Sequence, residues 1–385
     1  MKIPVFLRGA FLFLCVFFLA DDIVTAKPRL IRVAVLREED HFTMAVHGRY
    51  DVLDYNTGKV IATENYLHPS LVSLDKGKTA IGTRVFDAAR LIITPRREAL
   101  VSINAGRFRG SVIVINNAGV NFTVVNSVDL EQYICGVLYH EISDTWPLDA
   151  IKAQAVATRT FALYSMQKFA ARDYDVTNDI YSQVYGGRGA ERYRTNLAVH
   201  RTKGEILMYQ GVVFPTFFHA NSGGVTEDAA ELWGIDLPPL KGGVLSPFSE
   251  DSPHYKWKQD FRLKDIQDAL NARGYQLGLI KDIQVTERNK SGRVRKLRIL
   301  ARDGKEDIIE GKVFRDIIGP NILRSNKYEI IMKGWYVDFV GYGWGHGVGM
   351  CQWGAFGMAL KHYNYRQILA FYYPSSEFVK LKDED

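Results

Sequence analysis

Apolar and polar positions alternate through residues 30–126. Ile31-Arg32-Val33-Ala34-Val35 opens the pattern, and Ala99-Leu100-Val101-Ser102-Ile103, Ser111-Val112-Ile113-Val114-Ile115 and Phe122-Thr123-Val124-Val125 repeat it. Asn56-Thr57-Gly58-Lys59 makes a turn before Val60-Ile61-Ala62. Short β-branched runs separated by Asn/Gly turns predict strands. The period then changes. Asp129-Leu130-Glu131-Gln132 has the form of a capping box opening a helix, with Tyr133, Ile134, Val137 and Leu138 on its apolar side. Pro147 stands where the first residue of a second, Ala-rich helix belongs, and that helix runs to about residue 170. Residues 188–199 read as helix, Thr216-Phe217-Phe218 as a strand running into a glycine-rich turn, and residues 335–340 as a strand.

Between about residues 240 and 328 the character differs. Pro238-Pro239, Gly242-Gly243 and Pro247 punctuate its start, and a basic helix-plus-strand stretch follows, including Lys290-Ser291-Gly292-Arg293-Val294-Arg295-Lys296. This predicts an insertion or small docking subdomain whose charge run is a solvated face. The expected fold is α+β: a mainly antiparallel β scaffold, a few helices lining a cleft, and an inserted α/β subdomain. Its expected organisation is a leader over residues 1–26, a β-rich region over 27–110, and a domain over 111–375 interrupted at about 240–328.

Length and composition suit a folded globular protein: 385 residues, 47% hydrophobic and 24% charged. The start reads as a targeting segment. Lys2 and Arg8 form a basic region, residues 9–20 are apolar, and Val24-Thr25-Ala26 offers small residues at a cleavage site. The apolar run is short of the roughly 20 residues that span a bilayer. A signal peptide cut after Ala26 is expected; an uncleaved anchor, which would hold the chain beside the membrane, is the alternative. Cys15 follows Leu14 rather than a small residue, which argues against lipoprotein processing. Export to the cell envelope, outside the cytoplasmic membrane, leaves Cys135 and Cys351. Two cysteines allow one disulfide, but are neither a disulfide framework nor a zinc cluster. Export disfavours nucleic acid as a partner. The net charge of +6 and pI near 9.0 favour anionic surfaces such as cell-wall polymers or lipid headgroups.

Four segments are too polar, glycine-rich or aromatic to be plain scaffold. The first is Tyr139-His140-Glu141-Ile142-Ser143-Asp144-Thr145-Trp146-Pro147, with Gln154 and Arg159 on the helix after it. A carboxyl group at this junction, flanked by Ile142 and Trp146, is a candidate acid whose pKa partial burial would raise. Gln154 and Arg159 are five positions apart and so lie on different faces of their helix. The second is the polar turn from Asp175 to Gly187, which ends in Gln183-Val184-Tyr185. The third is His219-Ala220-Asn221-Ser222-Gly223-Gly224-Val225-Thr226-Glu227. Ser222 lacks the Gly-x-Ser-x-Gly elbow of a hydrolase nucleophile. The fourth is Gly341-Tyr342-Gly343-Trp344-Gly345-His346-Gly347-Val348-Gly349-Met350-Cys351-Gln352-Trp353-Gly354-Ala355. Bulky Trp344 and His346 stand where a pyrophosphate would approach, which excludes a dinucleotide loop. A bend presenting His346, Gln352 and tryptophan rings to a ligand with apolar faces and many hydroxyls, such as a glycan, fits better.

Taken in order, these motifs resemble the stage II sporulation protein D (SpoIID) family, which includes proteins called amidase enhancers. The motifs are Glu141-x4-Trp146-Pro147, Lys152-Ala153-Gln154-Ala155-Val156-Ala157-x-Arg159-Thr160, Gln183-Val184-Tyr185-x-Gly187, Asn221-Ser222-Gly223-Gly224-x-Thr226-Glu227 and Trp344-Gly345-His346-Gly347-Val348-Gly349-Met350-x-Gln352-Trp353. The resemblance covers about residues 110–375. It implies a peptidoglycan lytic transglycosylase with Glu141 as catalytic acid. Glu141 would protonate the oxygen between MurNAc and GlcNAc, then accept the proton of the MurNAc C6 hydroxyl as that oxygen closes on C1. The product is a 1,6-anhydro end. Ordinary glycosidases use two carboxyl groups; here an internal hydroxyl replaces water, so one suffices and no cofactor is needed. The resemblance makes Arg159, Gln154, Tyr185, Ser222, His346 and Gln352 candidates to bind the sugars, with peptide-stripped glycan strands as substrate and a cell-wall amidase as partner. Some members bind zinc through Cys and His near the Gln-Val-Tyr segment. Thr177-Asn178-Asp179-Ile180-Tyr181-Ser182 offers neither, so hydrogen bonds are expected to hold this loop. A second reading, from a different class, is a non-catalytic glycan-binding activator of an amidase.

Overall fold

The computed structural model describes residues 29–179 and 182–382; the expected leader over residues 1–26 lies outside them. The chain is α+β, with mainly antiparallel sheets. The alternating N-terminal pattern forms two of these. A seven-stranded sheet runs Val176–Thr177, Leu30–Glu39, Asn121–Asp129, Ser111–Asn117, Arg90–Pro95, Tyr50–Asp54, Val60–Glu64. A six-stranded sheet runs Gly106–Phe108, Leu100–Ile103, Phe42–His47, Leu67–Asp75, Lys78–Ile81, Arg84–Phe86. Period-two geometry sorts their side chains. Val112 and Val114 join Met44, Val72 and Val101 in the core between the sheets, while Ile113 and Ile115 cover the outer face with Val125.

Helix α1 (Leu130–Glu141) grows directly out of the strand ending at Asp129. The Asp129 carboxylate accepts from Glu131 N and Gln132 N, a cap worth about 1 kcal/mol. The reciprocal half of a capping box forms elsewhere, between Asn364 and Gln367. Ile142 is extended and stops α1, so the chain turns through residues 143–146. Pro147 sits just outside α2 (Leu148–Lys168) as its N-cap rather than as its first residue. The alanines of α2 explain themselves in three dimensions. Ile151, Ala155 and Ala162 face the core between the sheets, while Ala153, Val156 and Ala157 face a second core. A helix buried on both sides keeps small side chains where its neighbours approach.

That second core is built from α2, the short parallel strands Phe218–His219 and Met350–Cys351, and three further helices. Helix α3 (Tyr193–Arg201) packs on α1 and α2 and adds Ala198 and Val199 to the first core instead, and a single 3-10 turn, Gly187–Ala190, precedes it in the stretch read as one helix. A third core runs from Trp257 to Phe339, around two three-stranded sheets, α5 (Leu263–Asn271) and α6 (Gly311–Ile318). Helix α4 (Ala229–Trp233), α7 (Gln352–Leu360) and α8 (Tyr365–Tyr372) complete the second core. Tyr336–Tyr342 pairs with Lys256–Arg262 and Tyr328–Lys333, within the third unit. Its basic run is not all solvated: Arg295 is exposed, but the Arg293 side chain is buried. Cys135 and Cys351 are both free thiols.

Candidate active site

Glu141 is the last residue of α1, and its carboxyl group meets the first residue of α7. Gln352 Nε2 donates to Glu141 Oε2 at 3.5 Å and to Gln154 Oε1 at 3.3 Å. Gln154 in turn donates to Thr158 Oγ1 one turn along α2 (3.2 Å). Three of the sequence motifs thus converge through side-chain amides. The backbone N–H of Val184, from the Gln183-Val184-Tyr185 segment, also donates to the carboxyl group. Burial pushes the Glu141 pKa up to about 7, and the two neutral donors only partly oppose it. The helix adds to the effect, because its C-terminal end carries the negative pole of the macrodipole.

Beside the acid stands an aromatic wall. Trp146 meets Trp353 with ring centroids 5.1 Å apart and Phe356 at 5.0 Å; Trp353 and Phe356 are 5.3 Å apart. All three rings are half-buried. The loop carrying Trp146 is held from α3, where Arg194 donates to Asp144 O (2.8 Å) and Trp146 O (2.7 Å).

The two glycine-rich motifs are zipped together. Asn221 and Trp344 exchange backbone hydrogen bonds, and Glu227 N donates to Gly347 O. Gly347 has φ +88°, and a Cβ there would collide with the Arg293 guanidinium, so this position needs glycine. Arg293 reaches in from the third core to donate to Ser222 O (2.8 Å) and Val225 O (3.1 Å). Glu227 is buried and accepts from Asn289 and from Ser291 Oγ (2.8 Å), while Lys327 Nζ donates to Gly223 O (2.7 Å). The third unit is therefore bolted to the glycine-rich loops by buried polar groups.

The structure separates the residues expected to bind sugar. Gln352 and Gln154 lie at Glu141, but both are buried and hold the acid rather than face outward. Arg159 is a correction. Its guanidinium is fully buried, pairs with Glu131 at 2.7 and 2.8 Å, and donates to Glu205 O and Val199 O, so it cannot touch a ligand. Tyr185 is likewise internal: its hydroxyl donates to Asn126 Oδ1 (2.8 Å), and its ring covers Gly136 of α1. Ser222 has no exposed surface. His346 is half-buried among Phe217, Trp233 and His219. Burial pushes its pKa down to about 3, and Nδ1 accepts from Val348 N (3.1 Å), so the ring is neutral. The loop before Gln183 is held by hydrogen bonds, with Thr177 donating to Asp179 (2.7 Å) and Ser182 (3.1 Å). Residues 177–182 offer neither thiolate nor imidazole, the donors a zinc site there would need.

Residues 118–209, which carry Glu141 and the α2 motif, match the family described as Stage II sporulation protein. The chain is 32% identical over 265 residues to Stage II sporulation protein D of Bacillus amyloliquefaciens, covering 65% of this chain and 74% of that one. The chain belongs to the stage II sporulation protein D family. This SpoIID-family chain is also 31% identical over 357 residues to an uncharacterized protein of Brachyspira hyodysenteriae, covering 92% and 94% of the two chains. Against the Amidase enhancer of Bacillus subtilis (strain 168) it is 26% identical over 284 residues, or 63% of this chain and 39% of that protein. Residues 245–349 match a domain of unknown function. That stretch supplies Arg293 and two residues near the aromatic wall, His254 and Arg324, that sequence reasoning missed. Arg293 sits inside a run of charges, and nothing local distinguishes the buried member of such a run.

Proposed function

We propose that this protein is an exported peptidoglycan lytic transglycosylase that cleaves MurNAc-GlcNAc strands without water, leaving 1,6-anhydro-MurNAc ends. The observation that carries the reading is Glu141 itself: one carboxyl group, raised to about 7 by burial, held by neutral amides beside an aromatic wall. Near neutral pH such a group is present in both protonation states, as a residue that acts first as acid and then as base requires. The protonated carboxyl group gives its proton to the glycosidic oxygen as the C1–O4 bond breaks. The MurNAc C6 oxygen bonds to C1, and its proton passes to the Glu141 carboxylate, which restores the acid. The wall of Trp146, Trp353 and Phe356 offers apolar faces on which sugar rings stack. Membership in the SpoIID family supports a role in the cell wall. The test is to incubate peptide-stripped glycan strands with the protein and look for anhydro ends by mass spectrometry. Glu141→Gln should abolish those ends while strand binding persists; unchanged product would remove Glu141 from the reaction.

The similarity to an amidase enhancer favours one second reading, in which the protein binds glycan and stimulates a cell-wall amidase without cutting the strand. The same variant separates the two. An activator would speed peptide release by an added amidase equally well with Glu141→Gln, and the wild type would yield no anhydro product.

A further inference from the structure

The rings beside Glu141 do not stop at the second core. Trp353 meets His254 with centroids 6.0 Å apart, and His254 meets Trp344 edge-on at 4.8 Å. The Arg324 guanidinium carbon lies 4.8 Å from the centre of the Trp344 ring. His254 and Arg324 thus extend the row from Glu141 onto the segment that matches a domain of unknown function. Backbone bonds fix the position of Arg324, whose carbonyl accepts from Gly345 N (2.9 Å) and Arg315 Nη2 (3.0 Å). Its side chain is half-buried, yet among the described residues the guanidinium has no acid and no hydrogen-bond acceptor. Other half-buried arginines of this chain are matched: Arg32 by Asp175, and Arg109 by Glu191. Burial and the nearby Arg324 both lower the pKa of His254, so that ring stays uncharged beside the guanidinium.

A guanidinium resting over an indole keeps its N–H donors, and a carboxylate is the group its fork matches bidentately. We propose that Arg324 and Trp344 form a subsite that recognises the carboxylate of a sugar in the strand. On the transglycosylase reading, on which this inference rests, that carboxylate is the lactyl group of MurNAc. It is charged when the stem peptide has been removed, and it is a neutral amide when the peptide is attached. Arg324 is then the residue that makes stripped strands the preferred substrate. It touches a sugar along the row from the reacting bond and takes no part in proton transfer.

The experiment compares wild type, Arg324→Gln and Arg302→Gln on peptide-stripped strands and on the same strands with their lactyl carboxylates amidated. Arg302 is a matched control, since it lies 4.2 Å from the ring centre of exposed Trp335, outside the row of rings. The wild type should bind stripped strands about tenfold more tightly than amidated ones, the scale of one charge-assisted pair at a partly exposed site. Arg324→Gln should lose that tenfold preference, raise KM on stripped strands and keep kcat, with binding of amidated strands unchanged. Arg302→Gln should behave as wild type. Equal loss on both strands, no loss at all, or the same loss in Arg302→Gln would overturn the subsite. A wild type that binds and cleaves neither strand would overturn the transglycosylase reading and the subsite with it. A wild type that cleaves both equally would overturn the subsite alone.

Discussion

Gln352 Nε2 stands 3.5 Å from Glu141 Oε2, joining the end of α1 to the start of α7 across 211 positions of sequence. The separation is at the outer limit of a hydrogen bond, and the donor is neutral. Such a contact orients a carboxyl group without strongly favouring its charged form. Desolvation therefore dominates, and the carboxyl group holds a proton in part of the molecules even at neutral pH.

Raising the pKa of Glu141 has a consequence for stability. Its pKa moves from 4.5 unfolded to about 7 folded, so between those values the native state holds a proton that the unfolded chain has lost. The favourable contribution is present below pH 4.5 and disappears as pH rises through 7, by at most roughly 3 kcal/mol. Glu141→Gln stays neutral throughout. Urea midpoints should show this variant more stable than wild type at pH 8, with the difference vanishing near pH 4.5. A difference that did not depend on pH would contradict the raised pKa.

The Gln352 amide opposes burial by favouring the carboxylate, so its removal should raise the Glu141 pKa further. On the transglycosylase reading, kcat of the wild type should fall with pH around 7, and in Gln352→Leu that fall should move to higher pH. The maximal rate should drop roughly 10- to 100-fold, because the carboxyl group loses its orientation. A pH profile of anhydro-end formation reads both effects.

Arg159 should matter for folding and not for sugar binding. Arg159→Met leaves Glu131 without its partner, and breaking a buried ion pair from one side costs about 3–5 kcal/mol. Chemical denaturation should show that loss. The KM of the fraction that remains folded should match wild type, whereas a sugar-binding arginine would raise it.

The bolt at Glu227 predicts local loosening. Asn289→Ala and Ser291→Ala each remove one donor to a buried carboxylate, at about 1–3 kcal/mol apiece. Limited proteolysis should then cut residues 256–342 faster, while cleavage within residues 30–130 stays at the wild-type rate.

Local pattern accounted for much of the fold. Alternation at 111–115 and 122–125 marked two neighbouring strands, Asp129 marked the start of α1, and Pro147 the start of α2 within one residue. Residues 335–340 also read as a strand, found at Tyr336–Tyr342, but its partners did not follow from its own residues. Register and sheet membership depend on which distant segment offers a complementary face. The short turn Gly187–Ala190, folded into a longer helical reading, is separated from α3 because Glu191 and Arg192 between them are extended.

The sequence by itself determined the strand and helix periods and the family, because repeats and ordered motifs are local properties of the chain. Only the tertiary structure decided what each polar residue faces. Gln154 and Arg159 share one helix and one motif, yet one turns to Glu141 through Gln352 and the other is sealed against Glu131. Arg293 and Arg295 share one charge run, yet one lies buried under a glycine loop and the other is exposed. Burial, pKa and pairing arise from contacts between segments far apart in sequence, and no local pattern encodes them.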